Sequence, residues 1–253
     1  MSLDEVGPSV LVRTSERYVT NTTVVRLGGG RCLVVDPAVL PADLDALADD
    51  LEAASLEVVA GWSTHPHWDH VLWSSRLGAL VGRHATPEAA AVCRERRTEL
   101  LADIEAGAPG HELGLCGRLE PGLPRELAAS CRLVAHLAHA PGHGSLFFPR
   151  LGLLVAGDMV SEIEIPLLDA ESADPVGEYL AGLELLEQLV PAVEVFVPGH
   201  GAVGDRRQLA RRVAADRRYL SALAAGEQPD DRRLETAWLA AEHERHLALL
   251  QGR

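Results

Sequence analysis

Residues 63–70, Ser63-Thr64-His65-Pro66-His67-Trp68-Asp69-His70 (STHPHWDH), place three imidazoles and a carboxylate within six positions. They follow LEVVAGWS (56–63), a short apolar run that reads as a buried strand. Neither a regular strand nor a helix would turn His65 and His67 toward one point, but a loop leaving the strand end can. The H-x-H spacing lets two imidazoles hold one metal ion, while Asp69 and His70 offer an oxygen and a nitrogen to a second. That mixed donor set suits Zn²⁺, with Fe and Mn²⁺ as alternatives.

A metal centre needs further ligands from other loops at the same sheet edge, because sites in α/β proteins gather beyond the carboxyl ends of strands. Three residues have that setting: His143 in HAPGHG (139–144), Asp158 in LLVAGD (153–158) and His200 in FVPGHG (196–201). Each ends an apolar run beside a Gly that lets the chain turn sharply. Asp158, as a carboxylate, can bridge two cations. His136 and His139 read as packing beside the site, and Asp36 in VVDPA (34–38) as a support for nearby loop backbone. His243 and His246 in EHERH (242–246), with Arg218 and Tyr219, read as solvated helix surface. Trp68, Trp73 and IEIPLL (163–168) read as core packing, with an apolar pocket wall as the competing assignment.

Composition narrows the remaining choices. The net charge of −14 argues against a nucleic-acid or anionic-membrane partner, since both require clustered cations. All 23 basic residues are Arg. The four cysteines form no C-x-x-C pair, so buried free thiols are expected rather than a thiolate zinc site. The polar, acidic start MSLDEVGPSV lacks the pattern of a signal peptide, and a cytoplasmic location is the expectation.

Val- and Thr-rich runs over 9–35 predict strands, and Pro41 opens a helix with Leu44, Leu47 and Leu51 on one stripe. Residues 87–106 are helical in pattern, and 107–129 read as loop. Strands are expected within 131–140, 145–149, 152–158 and 193–198, and a helix from Asp174-Pro175 to Leu189. From 204 onward Leu209, Val213, Leu220 and Leu223 fall on one helical stripe. Strands and helices alternate in two rounds, which predicts an α/β sandwich of two similar halves with C-terminal helices.

The ordered set THPHWDH, PGH, GD and PGHG resembles the metallo-β-lactamase-fold superfamily of metallohydrolases, over most of the chain up to about Gly201. The resemblance implies a four-layer αββα sandwich, with residues 1–203 as the catalytic domain and 204–253 as a helical extension packed on it. It implies two Zn²⁺ per chain: His65, His67 and His143 at the first site, Asp69, His70 and His200 at the second, and Asp158 bridging. Among subclasses the chain is most similar to hydroxyacylglutathione hydrolases and related thioesterases and lactonases. Glutathione is not carried over as the substrate group, because the C-terminal helices offer no Lys to grip its carboxylates.

The expected activity is hydrolysis of a thioester, ester or lactone in a small acyl substrate by water that two metals share, with Asp69 orienting the water and taking its proton. No nucleophilic serine is required. The competing assignments are a persulfide dioxygenase with one iron and a phosphodiesterase, the latter disfavoured by the acidic charge. The Leu- and Ala-rich C-terminal helices are a candidate homodimer surface.

Overall fold

The computed structural model describes residues 2–252. Eleven strands and six α-helices follow one another in the order β1 (Asp4–Gly7), β2 (Val10–Thr14), β3 (Asn21–Gly28), β4 (Arg31–Val35), α1 (Pro41–Ala53), β5 (Glu57–Trp62), β6 (Arg83–Ala85), α2 (Pro87–Glu95), α3 (Arg97–Gly107), β7 (Glu120–Pro121), β8 (Arg132–His136), β9 (His143–Phe148), β10 (Leu153–Gly157), α4 (Pro175–Leu189), β11 (Val195–Pro198), α5 (Arg206–Ala224) and α6 (Ala237–Gln251). They build a seven-stranded sheet in the order β1 to β7 and a four-stranded sheet in the order β11-β10-β9-β8. The first sheet is antiparallel from β1 to β4 and parallel from β4 to β7. In the second, only β10 and β11 run parallel.

The layering follows from residue alternation, since successive side chains of a strand point to opposite faces. On β4, Leu33 and Val35 enter a core shared with Leu146, Phe148, Leu153 and Val155 of the second sheet. Cys32 and Val34 point the other way, against Leu47, Ala48 and Leu51 of α1. On β10, Leu153 and Val155 face the first sheet. Leu154 and Ala156 face a third core built with Leu183 and Leu186 of α4, Leu209 and Leu220 of α5, and Leu239 of α6. These cores separate four layers, helix–sheet–sheet–helix: the αββα sandwich, with unequal sheets.

Trp73 is in the core as read, buried against α1. Several local expectations need correction. His243, His246 and Tyr219 are buried rather than solvated, because α6 folds back onto α5 and the Tyr219 hydroxyl lies 3.1 Å from Nδ1 of each histidine. Arg207, Arg211 and Arg218 are exposed, as their side of α5 predicts. The helix expected over 87–106 breaks at Arg96 into α2 and α3, and β6 and β7 extend the first sheet beyond the strands read from sequence. All four cysteines are free and buried; burial pushes the Cys32, Cys93 and Cys131 thiols up to about 12, which leaves them inert. Among the described residues no helix is long and apolar enough to cross a membrane.

Candidate metal centre

The site forms where the carboxyl ends of β5, β10 and β11 meet the turn between β8 and β9. After β5 the chain leaves the sheet through Ser63 and Thr64, then tightens into a short 3₁₀ turn at Trp68–His70. His200 follows β11 and is tied to the first sheet by a bridge with Thr20. Asp158 follows β10, where two glycines allow close approach. Gly157 has φ +62° and its absent side chain leaves room for the His143 ring, while a Cβ on Gly199 would overlap Asp158 Oδ1.

Two donor groups converge there. His65, His67, His139 and Asp158 present ligand atoms that lie within 4.8 Å of one another, and so do Asp69, His70 and His200. Asp158 touches both groups, with Oδ2 3.5 Å from His65 Nε2 and 3.4 Å from His139 Nε2, and Oδ1 3.2 Å from His70 Nε2. Its Oδ2 is also 3.2 Å from His200 Nε2.

Six of the seven residues expected from sequence are thus brought together, and His143 is not. It begins β9, where its ring stacks between His65 and His136 at centroid distances of 5.1 and 4.5 Å. His139 stands in its place, in the turn before β9, at φ +71°, with Nε2 2.9 Å from His67 Nδ1. A non-glycine residue in the left-handed region is uncommon, and such conformations cluster at functional sites.

The donor set fits divalent cations because the outward ring nitrogens are already committed. Thr64 Oγ1 donates to Asp36 Oδ2 at 2.6 Å, so it accepts from His65 Nδ1 at 3.0 Å and leaves His65 Nε2 as a lone pair. His70 Nδ1 faces Asp36 Oδ2 at 3.1 Å, His139 Nδ1 donates to the Leu167 carbonyl at 3.2 Å, and His200 Nδ1 to the Tyr18 carbonyl at 3.0 Å. Metal-binding imidazoles are held this way, by an acceptor on the far nitrogen. On the inward face His70 Nε2 and His200 Nε2 lie 3.3 Å apart, and His65 Nε2 and Asp158 Oδ1 are buried without a hydrogen-bond partner. Asp36, which also accepts from Thr64 N at 2.8 Å, orients ligands as well as backbone.

Electrostatics agree. Burial pushes the His65, His67 and His143 pKa values down and that of His139 down to about 3, so these rings are neutral. For His70 and His200 burial is outweighed by Asp158 and its neighbours, which hold His70 well above its usual range and raise His200 to about 10. Burial works to raise the Asp158 pKa, but His200, His70 and His65 hold it well below the usual carboxylate range. The carboxylates call for positive charge between themselves and these rings.

The centre opens into a cavity of about 480 Å³, walled by Tyr18, Trp68, Leu167, Leu168 and Trp238. Asp69, Glu164, Asp169 and Glu242 also face it, and none of the described arginines does. Burial pushes the Glu164 carboxyl up to about 7. A larger cleft of about 590 Å³ lies along α5, lined by Arg211, Arg218 and Arg233 among others, and reaches none of the clustered imidazoles. Glu164 lies within the IEIPLL stretch read for its apolar residues, whereas the wall residues Tyr18 and Trp238 have no signal in the sequence.

The fold and this site define a metallo-β-lactamase-type sandwich. Residues 132–200 match the family model described as the metallo-beta-lactamase superfamily, a segment that takes in His139, Asp158 and His200 and stops short of STHPHWDH. A beta-lactamase domain protein from Burkholderia ambifaria is similar at 20% identity and TM-score 0.62, over 98% of this chain and 89% of that one. A metallo-beta-lactamase family protein from Thermus thermophilus is similar at 21% identity and TM-score 0.62, over 96% and 92%. A metallo-beta-lactamase from Erythrobacter litoralis is similar at 17% identity and TM-score 0.61, over 83% and 93%. At these identities the likeness is one of fold. No curated protein matches the chain.

Proposed function

We propose that this protein is a metal-dependent hydrolase that cleaves a thioester, ester or lactone bond in a small acyl substrate. The observation that carries the reading is the pair of convergent donor groups, sharing Asp158, at the floor of a pocket with an aromatic and aliphatic wall. His65, His67 and His139 would hold one cation, and Asp69, His70 and His200 the other, with Asp158 between them. When bound, two divalent cations supply Lewis acidity, which makes water a nucleophile near neutral pH and polarises a carbonyl.

The chain's own residues do the rest. Asp69 lines the pocket and is positioned to orient the attacking water and accept its proton. Tyr18, Trp68, Leu167 and Trp238 offer an apolar surface for the acyl part and exclude water from around it. The lining holds no described arginine, so a phosphodiester would have only the bound cations to receive its charge, and the aromatic and Leu walls favour an acyl group. Asp36 and the Leu167 and Tyr18 carbonyls fix the imidazole tautomers, so the ligands need no reorganisation as reaction proceeds.

The test is metal analysis of protein purified without added metal, followed by matched thioester, ester and lactone panels. About two divalent ions per chain, with hydrolysis abolished by chelation and restored by metal, is the expected result. One iron per chain with oxygen consumed on persulfide addition would replace the hydrolase reading with an oxidoreductase.

A further inference from the structure

Within the metal centre on which the proposed function rests, we infer that Glu164 is an additional ligand of the second cation, making that site oxygen-rich and selective for a harder ion than the first. Ligand atoms of Glu164, Asp158 and His200 lie within 4.8 Å of one another, a spacing one cation can span. Asp158 Oδ1, in a side chain only 6% exposed, points into the same space and accepts no hydrogen bond. The Glu164 carboxyl makes no direct ion pair among the described residues, and its strongest charged neighbours are His200, Asp158 and Asp69.

The segment is built to hold this carboxylate in place. Ser161 Oγ accepts from the backbone N–H of both Ile163 and Glu164 at 3.2 Å. Arg233 Nη1 donates to the Glu164 carbonyl at 2.7 Å and to the Ser161 carbonyl at 3.1 Å. That guanidinium is itself buried and fixed by Asp216 at 2.6 Å and Asp231 at 2.7 Å. A buried arginine committed to two backbone carbonyls fixes the turn, and the turn fixes where Glu164 begins. Asp158 and Asp69 repel the Glu164 carboxylate and His200 attracts it, and a bound cation would draw all of these carboxylates together.

The two donor sets then differ in chemistry. The first offers three imidazoles and one shared carboxylate, which suits zinc. Around His200 the donors are richer in oxygen: Asp158 and Glu164 group with it on one side, and Asp69 and His70 on the other. More oxygen donors shift preference toward Mn²⁺ or Fe²⁺. The centre is therefore expected to load as a mixed pair.

The experiment uses the chelator-treated full-length chain. One equivalent of Zn²⁺ is added to fill the nitrogen-rich site, then Mn²⁺ is titrated while free Mn²⁺ is read by electron paramagnetic resonance. Wild type should bind about one Mn²⁺, and Glu164→Gln, which keeps size and removes charge, should bind it about tenfold more weakly or worse, since groups one shell further out already cost that much. Glu164→Asp, retaining the charge, should recover part of the loss, and Zn²⁺ binding at the first site should be equal in all three. Equal Mn²⁺ affinity in wild type and Glu164→Gln would overturn the inference and assign Glu164 to the substrate pocket, with the hydrolase reading intact. Failure of wild type to bind either ion would overturn both.

Discussion

Lowering the pH from 7 to 5 should cost the folded protein about 2 kcal/mol through His246 alone. His246 Nε2 accepts the Leu168 N–H at 3.2 Å, which leaves Nδ1 to donate to the Tyr219 hydroxyl at 3.1 Å. That hydroxyl then donates to His243 Nδ1, also at 3.1 Å. The chain of bonds works only with His246 neutral, because a second proton on Nε2 would confront the Leu168 N–H. Burial pushes the His246 pKa down to about 4, with the nearby Glu242 opposing and His243 and Arg245 adding to the depression. In the unfolded chain the ring titrates near 6.5. Between those values the unfolded chain binds a proton that the folded one refuses, so this stability is present above about pH 6.5 and is lost as pH falls toward 4. At pH 5 the unfolded ring is almost fully protonated and the folded one is not, and the difference amounts to about 2 kcal/mol, or about 4–8 °C in Tm for a chain of this length. The assay is urea unfolding at pH 7, 6 and 5 of wild type and His246→Gln, both chelator-treated so that the clustered histidines contribute equally. The variant will start less stable, and the informative quantity is the slope. Wild type should lose about 2 kcal/mol more than the variant across this range; parallel losses would refute the neutral-His246 argument.

At the metal centre, His139→Ala should lower metal content from about two ions per chain to about one, whereas His143→Gln should keep both ions and shift only thermal stability; elemental analysis reads the difference. Asp36→Asn should weaken metal binding by about 10- to 100-fold, because the amide no longer matches both the Thr64 hydroxyl and His70 Nδ1–H, and calorimetric titration measures it. Gly199→Ala should displace Asp158 and lose hydrolysis together with bound metal, while Gly114→Ala, where an added Cβ meets nothing within 4 Å, should behave as wild type in both measurements.

What is legible from the chain, and what is not, follows from the distance over which each feature is determined. The layering is readable because β4 and β10 alternate between two apolar faces, a property of five residues at a time. STHPHWDH is readable because its donors are consecutive and need only a loop to converge. The third imidazole falls between two histidines four positions apart on either side of Pro141-Gly142; the sequence reading takes His143, whereas the structure groups His139 with His65, His67 and Asp158. The deciding fact is where β9 starts. His143 opens that strand and its side chain is committed to the stack with His65 and His136, while His139 lies in the preceding turn, free to reach the cluster. A ligand taken from the turn rather than the strand is the better inference from sequence, since HLAH ends one apolar run and SLFF begins the next. Glu164 has no such signal. Its backbone is set by Arg233, 69 positions later, and Arg233 in turn by Asp216 on α5, so its place at the cavity depends on how the last two helices close over the second sheet. The burial of His246 has the same origin, since α6 folds back to bring it beneath Leu168. The C-terminal helices therefore wall the cavity through Trp238 and Glu242, while their own histidines in EHERH are committed to Tyr219 and Leu168.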